Sequence, residues 1–476
     1  MVALRRFATL ATRSVAALAA AALLASCTGA ENAASNNETK SRTLSFTDCD
    51  KAKCEGELDG AAYQVRMPEK WNGTLLLYSH GYRQAEPSPP SFAPVETDAV
   101  VASTPETADA LLAAGYGLAG SAYAKNGWAV EDGVKAGNDL HTWFVENIAK
   151  PDRVYVWGDS LGGLITQTLA EKHSDWVAGA APMCGVLGGL NLNLDIGLDL
   201  QYAIKTLLYP EMKLTGFTSH DEAVKTWQEA ERRIMAAIKD LKNGVPKLLA
   251  IAAITDGPTK TGRFDGSTVT SKVSAQVETA LTGLGYATFG RYEIEQRVGG
   301  NPSTNENSDY AGRVTAAERT LANAVAPGAL DKALAALEAG QKVVADPAAR
   351  AAADKLGNPT GKLQDPTITL HTAYDPLVLV QNETVFGDRV RTAKGRTADL
   401  VQLYTVPPAT YAAPAPYGAG HCNFTDDERV GLIRSLDEWV RSGVYPTATA
   451  VGTAMNDAKG LSPLFKPGPW PGNATN

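Results

Sequence analysis

The sequence predicts an α/β fold: a mostly parallel sheet with helices on both faces, interrupted by a large and mainly helical insertion. Three observations carry that expectation. Short apolar runs alternate with helical patterns between residues 42 and 190. Sheet-like runs return after residue 364. The stretch between, 191–364, shows helical periodicity without that alternation.

Taken in order, Glu57 to Met67 alternates loosely, as a half-buried strand does, and Trp71-Asn72-Gly73 marks a turn. Thr74-Leu75-Leu76-Leu77-Tyr78 is continuously apolar, as expected of a strand buried on both faces. His80-Gly81-Tyr82 follows, then a proline-rich loop through Pro94. Thr104-Pro105 supplies a capping side chain and a first-turn proline for a helix that Gly115 closes. Tyr116 to Ala122 is the next strand. The spacing Gly115-x-Gly117-x-x-Gly120 matches a dinucleotide-binding fingerprint, but these glycines follow a helix where the motif needs a strand, so that function is set aside. A helix from about Glu131 to Ala149 leads to the strand Arg153 to Trp157. Another helix runs from Leu161 to about His173, and Trp176 to Met183 is a strand ending at Cys184-Gly185.

In the insertion, Glu222 to Leu241 and Ala316 to Val344 are the clearest helices. Strands resume at Thr367 to Leu370 and at Leu400 to Val406, and a final helix covers about Asp426 to Arg441. The sheet domain therefore comprises 42–190 and 365–450. The tail, 451–476, is expected to be irregular.

The N-terminal segment predicts export. Arg5, Arg6 and Arg13 precede an apolar run, Val15 to Leu24, too short to span a bilayer. Leu24-Ala25-Ser26-Cys27 resembles a bacterial lipobox, which would make 1–26 a signal peptide, Cys27 the acylated first residue and 27–41 a flexible tether. An ordinary secretory signal cleaved nearby is the alternative. The net charge is −8, and a cleaved signal with three arginines and no acids would leave −11. Such a chain, without basic clusters, is unsuited to nucleic acid or anionic lipid, so any membrane attachment would be through the lipid anchor alone. The expected location is the extracytoplasmic face of the cell membrane, or the exterior.

Chemistry concentrates at Gly158-Asp159-Ser160-Leu161-Gly162, between a predicted strand and a predicted helix. That context marks a nucleophile elbow, a turn so sharp that the flanking positions must be small. A serine hydroxyl needs a base to activate it, and the base needs an orienting acid. Of six histidines, His80 sits in the loop after the first buried strand, His141 and His173 on helices, His220 in the insertion and His371 within a strand. Only His421, in Gly418-Ala419-Gly420-His421-Cys422, lies late in the chain on a loop between the last strand and the last helix. Asp375 follows the strand at Thr367 after a short turn and precedes Pro376, so it would emerge at the same sheet edge. Asp256 is the second candidate, and a helix N-cap is the competing role for Asp375.

These segments identify a resemblance. Tyr78-Ser79-His80-Gly81-Tyr82, Gly158-Asp159-Ser160-Leu161-Gly162-Gly163 and Gly420-His421-Cys422, with the order Ser160, Asp375, His421, resemble the α/β-hydrolase superfamily, and loosely its secreted actinobacterial members. The resemblance covers about 42–190 and 365–445. It implies that the backbone N–H groups of Leu161 and Tyr82 form an oxyanion hole, with Gly81 permitting close approach. It also implies acyl transfer without a metal or organic cofactor.

Lipidation of Cys27 leaves four cysteines. Cys49 and Cys54 are local neighbours, and pairing them leaves Cys184 with Cys422; four cysteines permit three connectivities. A Cys184–Cys422 bond would hold the His421 loop against the sheet, and closing so long a loop is worth up to about 5 kcal/mol. The expected function is an extracytoplasmic serine hydrolase acting on a small carboxylic ester. An exopeptidase acting on short peptides and a non-catalytic binding lipoprotein are the alternatives. Tyr202, Leu207 and Trp227 are candidates either to line an acyl pocket or to form the insertion's own core.

Overall fold

A computed structural model describes residues 53–395, 399–412, 416–455 and 460–470. The expected signal peptide, Cys27, the tether and Cys49 lie outside the described residues.

Eight strands form one sheet in the order β1-β2-β4-β3-β5-β6-β7-β8. They are β1 (Lys53–Leu58), β2 (Ala61–Arg66), β3 (Thr74–Ser79), β4 (Gly117–Ser121), β5 (Arg153–Asp159), β6 (Gly179–Met183), β7 (Thr367–Thr372) and β8 (Leu400–Thr405). Strand β2 is antiparallel to β1 and β4, and β3 to β8 pair in parallel. The single strand expected over Glu57 to Met67 is instead the hairpin β1–β2. Leu58 pairs with Ala61, and both residues of the turn take left-handed φ: 48° at Asp59 and 82° at Gly60. An Asp-Gly pair suits such a two-residue turn.

Period-two alternation places two helical layers. Leu75, Leu77, Val154 and Val156 pack with helices α2 (Val130–Asn147) and α3 (Leu161–Lys172). Their neighbours Leu76, Tyr78, Tyr155 and Trp157 turn to the other face. There they meet Leu111 of α1 (Pro105–Ala113) and Leu432, Ile433 and Leu436 of α14 (Asp426–Ser442). Thr104 caps α1 as expected, accepting from the Thr107 N–H. Helix α13 (Gln381–Lys394), not anticipated from sequence, connects β7 to β8.

Between β6 and β7 lie α4 (Leu190–Leu207), α5 (His220–Lys239), α6 (Gly244–Ile254), α7 (Val269–Gly285), a π turn (Tyr286–Gly290) and α8 (Arg291–Val298). They are followed by α9 (Tyr310–Arg313), α10 (Ala316–Val325), α11 (Ala329–Ala339) and α12 (Pro347–Lys355). This helical segment has its own apolar core, distinct from the two that flank the sheet. The one helix expected over Ala316 to Val344 is two. Pro327 cannot donate an i→i−4 bond, and Gly328 turns left-handed at φ 74° before α11 starts.

The described part of the tail is more ordered than expected. It forms α15 (Ala448–Ala454) and then lies along β8, with Val406 N–H donating to Gly460 and Ser462 N–H to Tyr404. It thus covers an edge that would otherwise present unpaired backbone groups. Among the described residues, no helix is long and apolar enough to cross a membrane.

Candidate active site

Ser160 occupies the single residue between β5 and α3, with φ 59° and ψ −121°. A non-glycine residue rarely holds that conformation unless its surroundings dictate it. They do: a Cβ at Gly158 or at Gly162 would collide with the carbonyl oxygen of Ser79 at the end of β3. Both positions must be glycine for the turn to press this closely against the sheet. The Ser160 N–H donates to Met183 O of β6 at 2.9 Å. Asp159 is tied to β3 and its following loop, its Oδ2 accepting from Tyr78 Oη at 2.8 Å and from Ser103 Oγ.

The side chains named from sequence meet in space. Ser160 Oγ lies 2.8 Å from His421 Nε2, and His421 Nδ1 lies 2.7 Å from Asp375 Oδ2. Asp375 is buried, and its Oδ1 accepts from the Leu377 N–H at 2.8 Å and the Val378 N–H at 3.0 Å. One carboxylate thus shapes its own turn with one oxygen and faces the imidazole with the other. No helix begins at Asp375; α13 starts at Gln381. Asp256 lies past the end of α6 in the helical segment and takes no part in this series.

The His421 loop is pinned from three sides. Gly420 N–H donates to Tyr374 O at 3.0 Å, Thr372 Oγ1 donates to Gly420 O at 2.7 Å, and Cys422 is disulfide-bonded to Cys184, directly after β6. Cys54 is also a disulfide cysteine, and its expected partner Cys49 lies outside the described residues. The Cys184 and Cys422 sulfurs lie within 4.8 Å of a His421 ring nitrogen, but they are committed to each other and His421 Nε2 faces Ser160, so this group is no ready metal site.

Behind Asp375 lies a residue whose part the sequence did not reveal. His371, fully buried in β7, places Nε2 2.9 Å from Val378 O and 3.7 Å from Asp375 Oδ2, and Nδ1 3.4 Å from Glu383 Oε1. Each ring nitrogen faces an acceptor, which suits the doubly protonated ring. Burial works against the charge, but the Glu383 hydrogen bond and the Glu383 and Asp375 carboxylates outweigh it and raise the pKa. His80 goes the opposite way. Burial, assisted by Arg83, drops it to about 3, and its ring stacks on Tyr123 with centroids 4.0 Å apart. His141 stacks on Trp176, His173 lies tilted beside the same ring, and His220 bonds Ser88 Oγ at 2.9 Å.

Gly81 runs beside the elbow, with its Cβ direction 3.4 Å from both Asp159 O and Ser160 Cβ. Tyr82, Leu161 and Ser160 border one end of a cavity of about 130 Å³ roofed by α4, α7 and the π turn. Its walls are mainly apolar and include Leu194, Leu200, Ala280 and Ala287, with Asn193, Thr255 and Thr279 as polar members and no Asp, Glu, Lys or Arg among the described lining residues. Tyr202, Leu207 and Trp227 lie in the core of the helical segment instead. Trp470, from the tail, also reaches the cavity; its position depends on how the tail folds back, which no local pattern specifies.

A parallel sheet with one antiparallel strand near its edge, a strained serine between strand and helix, and the order Ser160, Asp375, His421 decide the architecture. The chain has the α/β-hydrolase fold.

No family model matches the chain. An o-phthalyl amidase from Xanthobacter agilis is 28% identical over 131 residues, 26% of this chain. The match spans only 25% of that curated relative's length. Among solved structures, feruloyl esterase B from Aspergillus oryzae is 14% identical with a TM-score of 0.39, covering 83% of this chain and 80% of that one. An esterase from the same fungus is 12% identical with a TM-score of 0.38 and the same coverage. A serine hydrolase from Cycloclasticus zankles is 14% identical with a TM-score of 0.33, covering 83% and 99%.

Proposed function

We propose that the protein is a serine hydrolase that cleaves a carboxylic ester through an acyl-enzyme. The observation that carries this reading is the unbroken series Ser160 Oγ–His421 Nε2 and His421 Nδ1–Asp375 Oδ2, at 2.8 and 2.7 Å, opening on an apolar cavity. Ser160 Oγ bonds to the carbonyl carbon while His421 Nε2 takes its proton, and Asp375 stabilises the imidazolium. The oxyanion is met by the N–H groups of Leu161 and Tyr82, each such donor being worth about 3 kcal/mol. The ester C–O bond then breaks, the alcohol leaves with the proton from His421, and water repeats the sequence to release the acid.

The uncharged cavity bears on the alternatives. An exopeptidase must recognise a charged chain terminus, and no acidic or basic side chain is among the described residues that line this cavity. The partial similarity to an o-phthalyl amidase favours a second reading, hydrolysis of an amide at the same serine. A purely binding role would gain nothing from holding Ser160 in a strained conformation.

The disulfide between Cys184 and Cys422 supports an exported protein, anchored through Cys27 or released. A panel of p-nitrophenyl esters, uncharged acyl anilides and aminoacyl anilides tests the reaction class. Ester turnover well above both anilides is expected. Turnover confined to aminoacyl anilides would reject the ester reading in favour of the peptidase. Palmitate labelling lost in Cys27→Ala tests the anchor, and undiminished labelling would reject it.

A further inference from the structure

We infer that the cavity beside Ser160 is an acyl site for a single ring or a short branched chain, and that Gly197 and Gly283 set its size. This rests on the serine-hydrolase reading of the same site.

Both glycines sit inside helices, Gly197 in α4 and Gly283 in α7, where glycine is the least favourable residue after proline. Neither has a positive φ, and neither is required by backbone packing. A Cβ at Gly197 would make ordinary contact with Ala287 Cβ at 3.6 Å. At Gly283 it would meet only Leu200 Cδ2, the movable end of a side chain, at 3.3 Å. Both residues line the cavity. Their missing side chains therefore leave substrate space, and the helices carry the cost.

The volume defines the occupant. The cavity measures about 130 Å³, and an apolar protein cavity of about 150 Å³ accepts benzene. A benzoyl-sized group fits this space, and an extended fatty acyl chain does not. The mainly apolar walls, with no ionisable partner among the described lining residues, disfavour an acyl part with an ionised group. The proposed substrates are esters of small arylcarboxylic or branched acids.

The test compares kcat/KM for p-nitrophenyl acetate, benzoate and octanoate in the full protein and in Gly197→Ala, Gly283→Ala and Gly283→Val. Wild type is expected to prefer benzoate to octanoate. The benzoate-to-acetate ratio is expected to fall about tenfold or more in Gly283→Val, the scale of one misplaced methyl in an apolar pocket. A preference for octanoate, or an unchanged ratio in all three variants, would overturn the inference.

Benzyl alcohol titrated into Ser160→Ala by calorimetry reads the cavity without turnover. Saturable binding, weakened by adding Gly283→Val, is expected, and its absence would also overturn the inference. Binding without hydrolysis of any ester would overturn the ester reading and leave the cavity assignment standing.

Discussion

The glycines of the elbow and the glycines of the helical roof show two uses of the same residue. At Gly158 and Gly162 a side chain has nowhere to go, because the backbone of β3 occupies the space. At Gly197 and Gly283 a side chain has room, and its absence leaves a cavity. In the sheet the backbone dictates the sequence, so the position of Ser160 is set by geometry. In the roof the sequence sets the shape of an empty volume, and the fold would tolerate other choices. The proposed division of labour follows: the sheet performs the chemistry and the helical segment selects the substrate.

The largest expected effects fall on the sheet side. Ser160→Ala lowers kcat by about 10⁴-fold or more, and Asp375→Asn by about 10⁴-fold, measured on a short acyl ester. Loss of activity in Asp375→Asn without loss of fold, checked by thermal unfolding, would separate its role toward His421 from its role in the turn. Gly162→Ala is expected to destabilise the fold by about 1–3 kcal/mol or more through forced overpacking at the elbow. Gly197→Ala is expected instead to stabilise it by about 0.5–1 kcal/mol through helix propensity. Denaturant unfolding of the pair sharpens the comparison, and equal effects would break it.

The disulfide joins the sheet to the His421 loop. Replacing both Cys184 and Cys422 by serine is expected to cost about 2–4 kcal/mol in denaturant unfolding. It should also lower activity more than a distant mutation of equal cost. Full activity would show that the Gly420 hydrogen bonds suffice to hold the loop.

The smallest effect is a pH dependence. Burial pushes Glu428 of α14 up to about 7, although the Thr425 N–H acts in the opposite direction. Its folded pKa exceeds its unfolded value of about 4.5, so the stability it contributes is full below about 4.5 and lost as pH rises through about 7. His371, also raised, acts in the same sense, with its contribution complete below its ordinary value of 6.5 and lost through its raised one. Glu428→Gln keeps an acceptor for the Thr425 N–H, which Glu428 Oε2 receives at 2.8 Å, and is expected to flatten the decline in thermal stability between pH 5 and 8. An unaltered pH profile would remove Glu428 from that account.

Legibility in the sequence followed the same divide. The buried strands, the helix after Ser160 and the loop position of His421 rest on local signals: apolar runs, glycine spacing and chain order. Asp375 was approachable because a strand, a short turn and a proline bracket it. The roof gave little. Helix α6 is buried along nearly its whole length, which blurs its amphipathic period, and the alanine-rich sequence keeps a helical pattern on both sides of Pro327. Cavity residues such as Leu194, Ala287 and Trp470 come from distant segments and share no spacing. His371 illustrates a missed signal, since a histidine between Leu370 and Thr372 in a strand buried throughout must find polar partners inside.

The most direct test of the central claim is labelling with a fluorophosphonate probe, followed by peptide mass mapping, on wild type, Ser160→Ala, His421→Ala and Gly283→Val. One labelled residue, Ser160, is expected, with its labelling lost in the first two variants. In Gly283→Val, labelling by a small ethyl phosphonate should persist while labelling by a phenyl phosphonate falls. Labelling elsewhere, or an unlabelled Ser160 in folded wild-type protein, would contradict that claim.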